Sequence, residues 1–396
     1  MIFAEFQELF AAPLRNGVSY PSATRGSGVP MVNMGEAFKY DVIADQECER
    51  VPLSASERQR YLLEEGDLLF VRQSLKFEGA GRCIYIAAGS EPRTWESHLM
   101  RVRLDPTRAN PRYYYYYFRS ALGRELIEPI IHQVAAAGIR GSDLSRLQVP
   151  IPRLQDQHII ISVLTALDDK IAVNDRIATT VDQFCAALFE NIVARNSIGT
   201  IELGEIAAVN TKSVKPITGG SLRYIDIASV GDGRFNWPEL TSWDEAPARA
   251  RRGISPGDTI WSTVRPNRRS RALVLDEDPL LVASTGFAVI TPRSVGPAFL
   301  YESARRDEFV LYLESVAEGS AYPAVRAEKF LTVPVPIAMD EHRDRFEVLA
   351  FQARLRAHAA VRENRVLVEL RDRLLPELMS GRLRVRDAEK AVEEAV

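Results

Sequence analysis

From Gln155 to Asn196 the chain runs without a proline or a glycine, and that stretch limits what the rest can be. Ile160, Leu164, Leu167, Ile171, Asn174, Ala178, Val181, Cys185, Leu188 and Ile192 recur along it at alternating spacings of four and three, the period of a helix seam that packs on another helix. A helix of this size is about 60 Å long at about 1.5 Å per residue, too long for one globular domain to cover its apolar stripe. It needs a partner helix. A second segment, from about Asp340 to Met379, offers a less pure stripe of Phe346, Leu349, Ala353, Ala357, Ala360, Asn364, Leu367, Leu374 and Leu378, interrupted by Pro376 and ending at Ser380-Gly381.

Each long segment closes one half of the chain, and the halves repeat. Gly66-Asp67-Leu68-Leu69-Phe70 returns as Gly257-Asp258-Thr259-Ile260-Trp261. Val149-Pro150-Ile151-Pro152 returns as Val333-Pro334-Val335-Pro336, and Glu5-Phe6-Gln7-Glu8-Leu9 as Glu202-Leu203-Gly204-Glu205-Ile206. Matches in the same order at nearly constant offset describe a tandem duplication. The fold expected is α+β: two mixed α/β domains with two long antiparallel coiled-coil spacer helices, related by a pseudo-two-fold axis. The expected boundaries are a first domain over 1–152, a central spacer helix over 153–198, a second domain over 199–337, and a C-terminal spacer helix and tail over 338–396. Asn174 and Asn364 each interrupt an apolar stripe near its middle. A polar residue in such a seam is often a register device, so the two are expected close together across the helix pair.

The domains read as β-type runs at Leu68 to Arg72, Arg82 to Ala87, Leu222 to Ile227 and Ala272 to Leu275, with helices interleaved. The tract Tyr113 to Tyr117, then Phe118, leads into an apolar helix and reads as packing rather than base stacking. No apolar run reaches the roughly eighteen residues a membrane span requires, and the start has no charged leader. Cys48, Cys83 and Cys185 have no metal or disulfide spacing, suit a reducing cytoplasm and read as buried packing residues. The five histidines are scattered. The net charge of -3 hides two basic clusters. Seven arginines lie between Arg249 and Arg271 against Asp258 alone, and six between Arg101 and Arg124 against Asp105 alone. Each is either a solvated face or the local field that a polyanion feels.

The run from Val149 to Val193, VPIPRLQDQHIIISVLTALDDKIAVNDRIATTVDQFCAALFENIV, resembles the first spacer region of the specificity subunits of type I restriction-modification enzymes, with Asp156 where the family pattern has glutamate. The tail Leu370 to Leu383, LRDRLLPELMSGRL, is similar to the end of their second spacer. The resemblance covers the whole chain, more weakly in the two domains. It implies that each domain reads one half of a bipartite double-stranded DNA target, that the helices set the gap and that the subunit has no catalytic site. It further implies docking of two modification subunits, which would carry the S-adenosylmethionine, and room for restriction subunits with a motor and nuclease.

On that resemblance, the loops after the Gly-Asp strands become candidates for DNA contact. They hold Arg72, Gln73, Ser74 and Lys76 in the first half, and Arg265, Asn267, Arg268, Arg269 and Arg271 in the second. The segments before the spacers add Arg140 and Ser142, then Tyr322 and Arg326. Two other readings compete. Asn110-Pro111-Arg112-Tyr113 is one substitution from the Asn-Pro-Pro-Tyr motif of adenine amino-methyltransferases, but Gly231-Asp232-Gly233 lacks the third glycine and the helix of a cofactor loop. A protein-only scaffold would share the helices but should lack matched arginine-rich loops.

Overall fold

The structure, a computed structural model, describes residues 2–133, 136–320 and 322–383. Its two longest elements are the helices Leu154–Asn196 and Asp340–Ser380; the second passes through Pro376 without ending. The chain divides into two units. One comprises residues up to Ile171 together with those from Arg365 on, and the other Ala172–Asn364. Each unit therefore holds one globular domain, the first part of the long helix that follows it and the far part of the other long helix.

In the first unit the strands Phe10–Asn16, Leu99–Leu104, Leu68–Val71, Cys83–Ile86 and Val42–Ile43 form one sheet in that order. All neighbours are antiparallel except the last pair. The helix Pro111–Arg119 lies on this sheet with Tyr113 through Phe118 all buried. Phe118 meets Phe6 and Phe70 with ring centroids 5.0 Å apart in each case. The tyrosine tract is core, as its helical setting implies. The same core takes in Leu164 and Leu167 from one long helix and Leu367, Leu370, Leu374 and Leu378 from the other.

The second unit repeats the plan. Ala207–Val209, Phe287–Pro292, Thr259–Ser262 and Arg271–Leu273 make an antiparallel sheet, with the helix Pro297–Arg305 against it. The long helices run antiparallel here: Asn174 lies beside Asn364, Cys185 beside Ala350, and Phe189 beside Phe346 with ring centroids 5.6 Å apart. Asn174, fully buried, donates through Nδ2 to Asn364 Oδ1 at 2.9 Å and to Glu363 Oε2 at 2.9 Å, while Asn364 Nδ2 donates to Asp175 Oδ1 at 3.0 Å. The second stripe needs one correction: Leu349 faces outward and Ala350 takes the buried position, because the helix meets Phe299 as well as its partner helix. Cys83 and Cys185 are buried, but Cys48 is only partly so.

The repeated sequence signals have local physical causes. Glu5 and Glu8, like Glu202 and Glu205, form capping boxes that start the short helices Phe6–Leu9 and Leu203–Ile206. Gly66 and Gly257 sit at φ of 89° and 93°, where a side chain would be strained, and a Cβ would approach Pro111 and Pro297 to 3.2 and 3.1 Å. The aspartate after each glycine accepts a backbone N–H three residues back, Glu64 and Ser255 respectively, at 2.8 Å. The Val-Pro segments are strands that pair antiparallel with each domain's own start, Phe3–Glu5 with Gln148–Pro150 and Ser197–Glu202 with Pro334–Ala338. Each domain is thus closed by its own two ends.

Candidate nucleic-acid interface

In both units the loop after the Gly-Asp strand pairs with the segment that precedes the long helix. In the first unit Gln73–Ser74 pairs with Ala137–Gly138, and Ile139 N–H donates to the Arg72 carbonyl at 2.9 Å. In the second, Val264 bridges to Ala324, Val325 N–H donates to the Thr263 carbonyl at 2.8 Å, and Arg265 N–H donates to the Pro323 carbonyl at 2.7 Å. Candidates some sixty residues apart in sequence are thereby built into one edge, twice. Arg140 and Arg326 hold the same place, each exposed immediately before a short helix, Gly141–Ser145 and Ala327–Leu331.

The first edge opens a cleft of about 620 Å³ lined by Asn16, Arg72, Gln73, His132 and Arg140 among others. Among the described residues Arg72, Lys76 and Arg140 make no ion pair, so their charge is free for an outside partner. Ser74 does not belong with them. It is 7% exposed, and its Oγ accepts the Lys76 N–H at 3.1 Å, which makes it the brace of the turn. Ser142 is exposed and faces a neighbouring hollow with Gln7 and Pro13 instead. His132 has no signal of its own in the sequence. Its Nε2 lies 3.1 Å from Asp143 Oδ2, and its place in the cleft comes from pairing with residues beyond its own strand, which periodicity does not report.

The second edge carries more arginines. Pro266–Arg268 forms a single tight turn bracketed by Arg265 and Arg269, both in the left-handed region at φ of 51° and 55°. Non-glycine residues there carry strain of roughly 1 kcal/mol or more each, and the surroundings hold them. The Arg265 guanidinium lies 4.3 Å from the centre of the Tyr322 ring, itself 70% exposed, and Arg269 pairs with Asp307 at 2.5 Å. Asn267 and Arg268 are left at the tip, exposed. Arg326 pairs with Glu318 at 3.0 Å.

Arg271 is a correction. It is 2% exposed, pairs with Asp232 at 2.9 Å and lies over the Trp261 ring, and burial draws its pKa below the usual arginine range. Strand alternation turns it inward from the loop that carries Arg268. The basic cluster from Arg101 to Arg124 is likewise consumed within the fold. Arg103 pairs with Asp67 and Glu64, Arg119 with Asp41, Arg101 and Arg124 donate to backbone carbonyls, Arg108 bonds the Glu8 carbonyl, and Arg112 lies over Tyr85. Asn110, which begins the methyltransferase-like tetrapeptide, caps the helix Pro111–Arg119 by accepting the Arg112 N–H at 3.0 Å. Among the described residues there is no cluster of histidine, cysteine and carboxylate fit for a metal ion, and no helix long and apolar enough to cross a membrane.

The comparisons with known proteins fall on the same architecture of paired edges, closed domains and long helices. Residues 12–183 match the family described as type I restriction modification DNA specificity domain. Over 99 residues it is 31% identical to the type I restriction enzyme HindI specificity subunit of Haemophilus influenzae, covering 24% of this chain and 21% of that one. Over 156 residues it is 26% identical to the EcoKI specificity subunit of Escherichia coli, covering 39% and 33%. These matches span a third or less of the length of the curated relatives. The type I restriction-modification S subunit of M. genitalium has a similar fold, with a TM-score of 0.61 at 15% identity over 95% of both chains.

Proposed function

We propose that this chain is the DNA-reading subunit of a type I restriction-modification enzyme and that it performs no chemistry itself. Each unit reads one half of a bipartite duplex target through the edge made by its two paired loops. The observation that carries this reading is the repetition of that edge, with unpaired or loop-tip cations at matching places in two domains of otherwise different sequence. Phosphate contacts from Arg72, Lys76, Arg140 and Arg268 would fix orientation, and exposed amides and guanidinium groups at the tips would reach base edges. The long helices set the gap, with Asn174 and Asn364 fixing their register. They also carry two modification subunits, in which S-adenosylmethionine supplies the methyl group, and leave room for restriction subunits.

The test is selection from a random duplex pool by the full chain with its modification subunits. The expected product is two short motifs at a fixed gap; one continuous motif would remove the two-reader arrangement. Binding of S-adenosylmethionine by the chain alone would overturn its assignment as non-catalytic.

A further inference from the structure

The loop of the first unit ends in an apolar tip. Leu75 is 94% exposed, between the strand Gln73–Ser74 and the short helix Phe77–Gly79. It is held there: Ser74 Oγ accepts the Lys76 N–H, the strand is paired along its length, and any side chain at Gly79 would strike Ser74 and the Phe38 ring. Single exposed leucines are ordinary on protein surfaces. This one stands on a braced turn beside free cations, and it borders a hollow of about 780 Å³ with Met34, Phe38 and His98. Counted from the Gly-Asp pair, the second unit has Pro266 at this place, buried, and offers Asn267 and Arg268 instead.

We propose that Leu75 is a specificity contact for thymine. In the major groove the thymine 5-methyl is the one apolar feature that distinguishes a base pair, and a leucine carried to the tip of a rigid, cation-flanked turn presents a matching apolar surface. Arg72 and Lys76 hold the flanking phosphates, so the methyl contact is made without Leu75 having to supply affinity for the backbone. The proposal rests on the reading of this edge as a DNA interface and adds which base its tip selects.

The test starts from the selected bipartite motif. Each thymine in the half read by the first unit is replaced by deoxyuridine, which removes only the methyl, and dissociation constants are measured for the full chain with its modification subunits and for Leu75→Ala. One position should lose about fourfold in affinity, the worth of one buried methyl-sized group, and Leu75→Ala should erase that difference while leaving thermal stability unchanged. A first half without thymine, less than about a twofold loss at every thymine, or a loss that persists in Leu75→Ala would overturn the proposal while the bipartite motif upholds the DNA reading. Failure to select any motif would remove both.

Discussion

The two units seat their domains on the long helices at equivalent places but with opposite polarity. In the first, Tyr116 of the helix Pro111–Arg119 donates to Asp168 at 2.6 Å, and Asp168 pairs with Arg371 of the second long helix at 2.9 Å. In the second, Glu302 of the helix Pro297–Arg305 binds Arg354, which also reaches Asp182 at 3.4 Å. Glu302 stands where Tyr116 stands, and Arg354 where Asp168 stands, each counted from the proline that opens the domain helix. Burial, ahead of the nearby Asp168, raises the Tyr116 pKa, which keeps its hydroxyl a donor. Duplication thus preserved a buried polar contact while its sign reversed. Geometry demands a partner at that place; either polarity will serve if the other side matches.

The contrast predicts unequal sensitivity. Glu302 is 1% exposed and Arg354 10%, so Arg354→Ala leaves a buried carboxylate with Arg305, 3.3 Å away, as its remaining cationic partner. Loss of one member of such a pair costs about 3–5 kcal/mol. Chemical denaturation should show that loss, and Glu302→Gln in the same background should return more than half of it by removing the stranded charge. If Arg354→Ala changes stability by less than about 1 kcal/mol, the second seat is not held by this pair.

The same change in the first seat is gentler. Asp168 is about a third exposed, and Asp168→Asn still accepts the Tyr116 hydroxyl. A loss of about 1 kcal/mol is expected, chiefly from the pairing with Arg371, whose raised pKa reflects Asp168 and Asp372 working against burial. Denaturation of both single variants side by side checks the ratio. Equal losses would mean that the two seats are energetically alike despite their chemistry.

How much of this was written in the sequence follows the same division. The long helices were legible because a stripe spacing of four and three over forty residues has few other meanings. The tyrosine tract and the Gly-Asp strands were legible for equally local reasons, a helical setting and a positive φ. Leu349 misled because spacing alone cannot say which of two adjacent residues faces a third element, here Phe299. Among the DNA candidates, Arg268 and Arg271 look alike in sequence, yet one is at the tip and the other beneath it. Strand alternation separates them only once the strand Arg271–Leu273 is known. The pairing of the two loops in each domain had no local signal, since it joins segments through a sheet edge some sixty residues away.

That separation gives a prediction on DNA binding. Arg268→Ala should fold normally and lose about 1–3 kcal/mol at one position if it reads a guanine edge, or weaken all duplexes alike if it holds a phosphate. Arg271→Ala should instead lower thermal stability, because it empties a buried site beneath the loop, against the Trp261 ring. A stable Arg271→Ala that binds any duplex more weakly would place Arg271 at the interface after all.

The smallest expected effect is the response of the two units to acid. In the second unit burial raises the pKa of Asp258, Glu302 and Glu347. A raised carboxyl contributes stability that is complete below the unfolded value, about 4, and is lost as pH rises through the folded one, so mild acid favours this unit. In the first unit hydrogen bonds lower Asp45, Glu57, Asp105 and Asp143, each with its hydroxyl, amide or histidine partners first among the causes. Their contribution is present above the unfolded value and is lost as pH falls through the folded one, so acid works against this unit. Asp45 is exposed and the other three partly so, and solvent screening keeps the effect small. Hydrogen exchange resolved by segment, at pH about 7 and about 4, should show protection declining first in the first unit once intrinsic exchange rates are corrected. Earlier loss in Ala172–Asn364 would show that Glu302 is held ionised by Arg354 and Arg305, both of which pair with it, more strongly than burial opposes it.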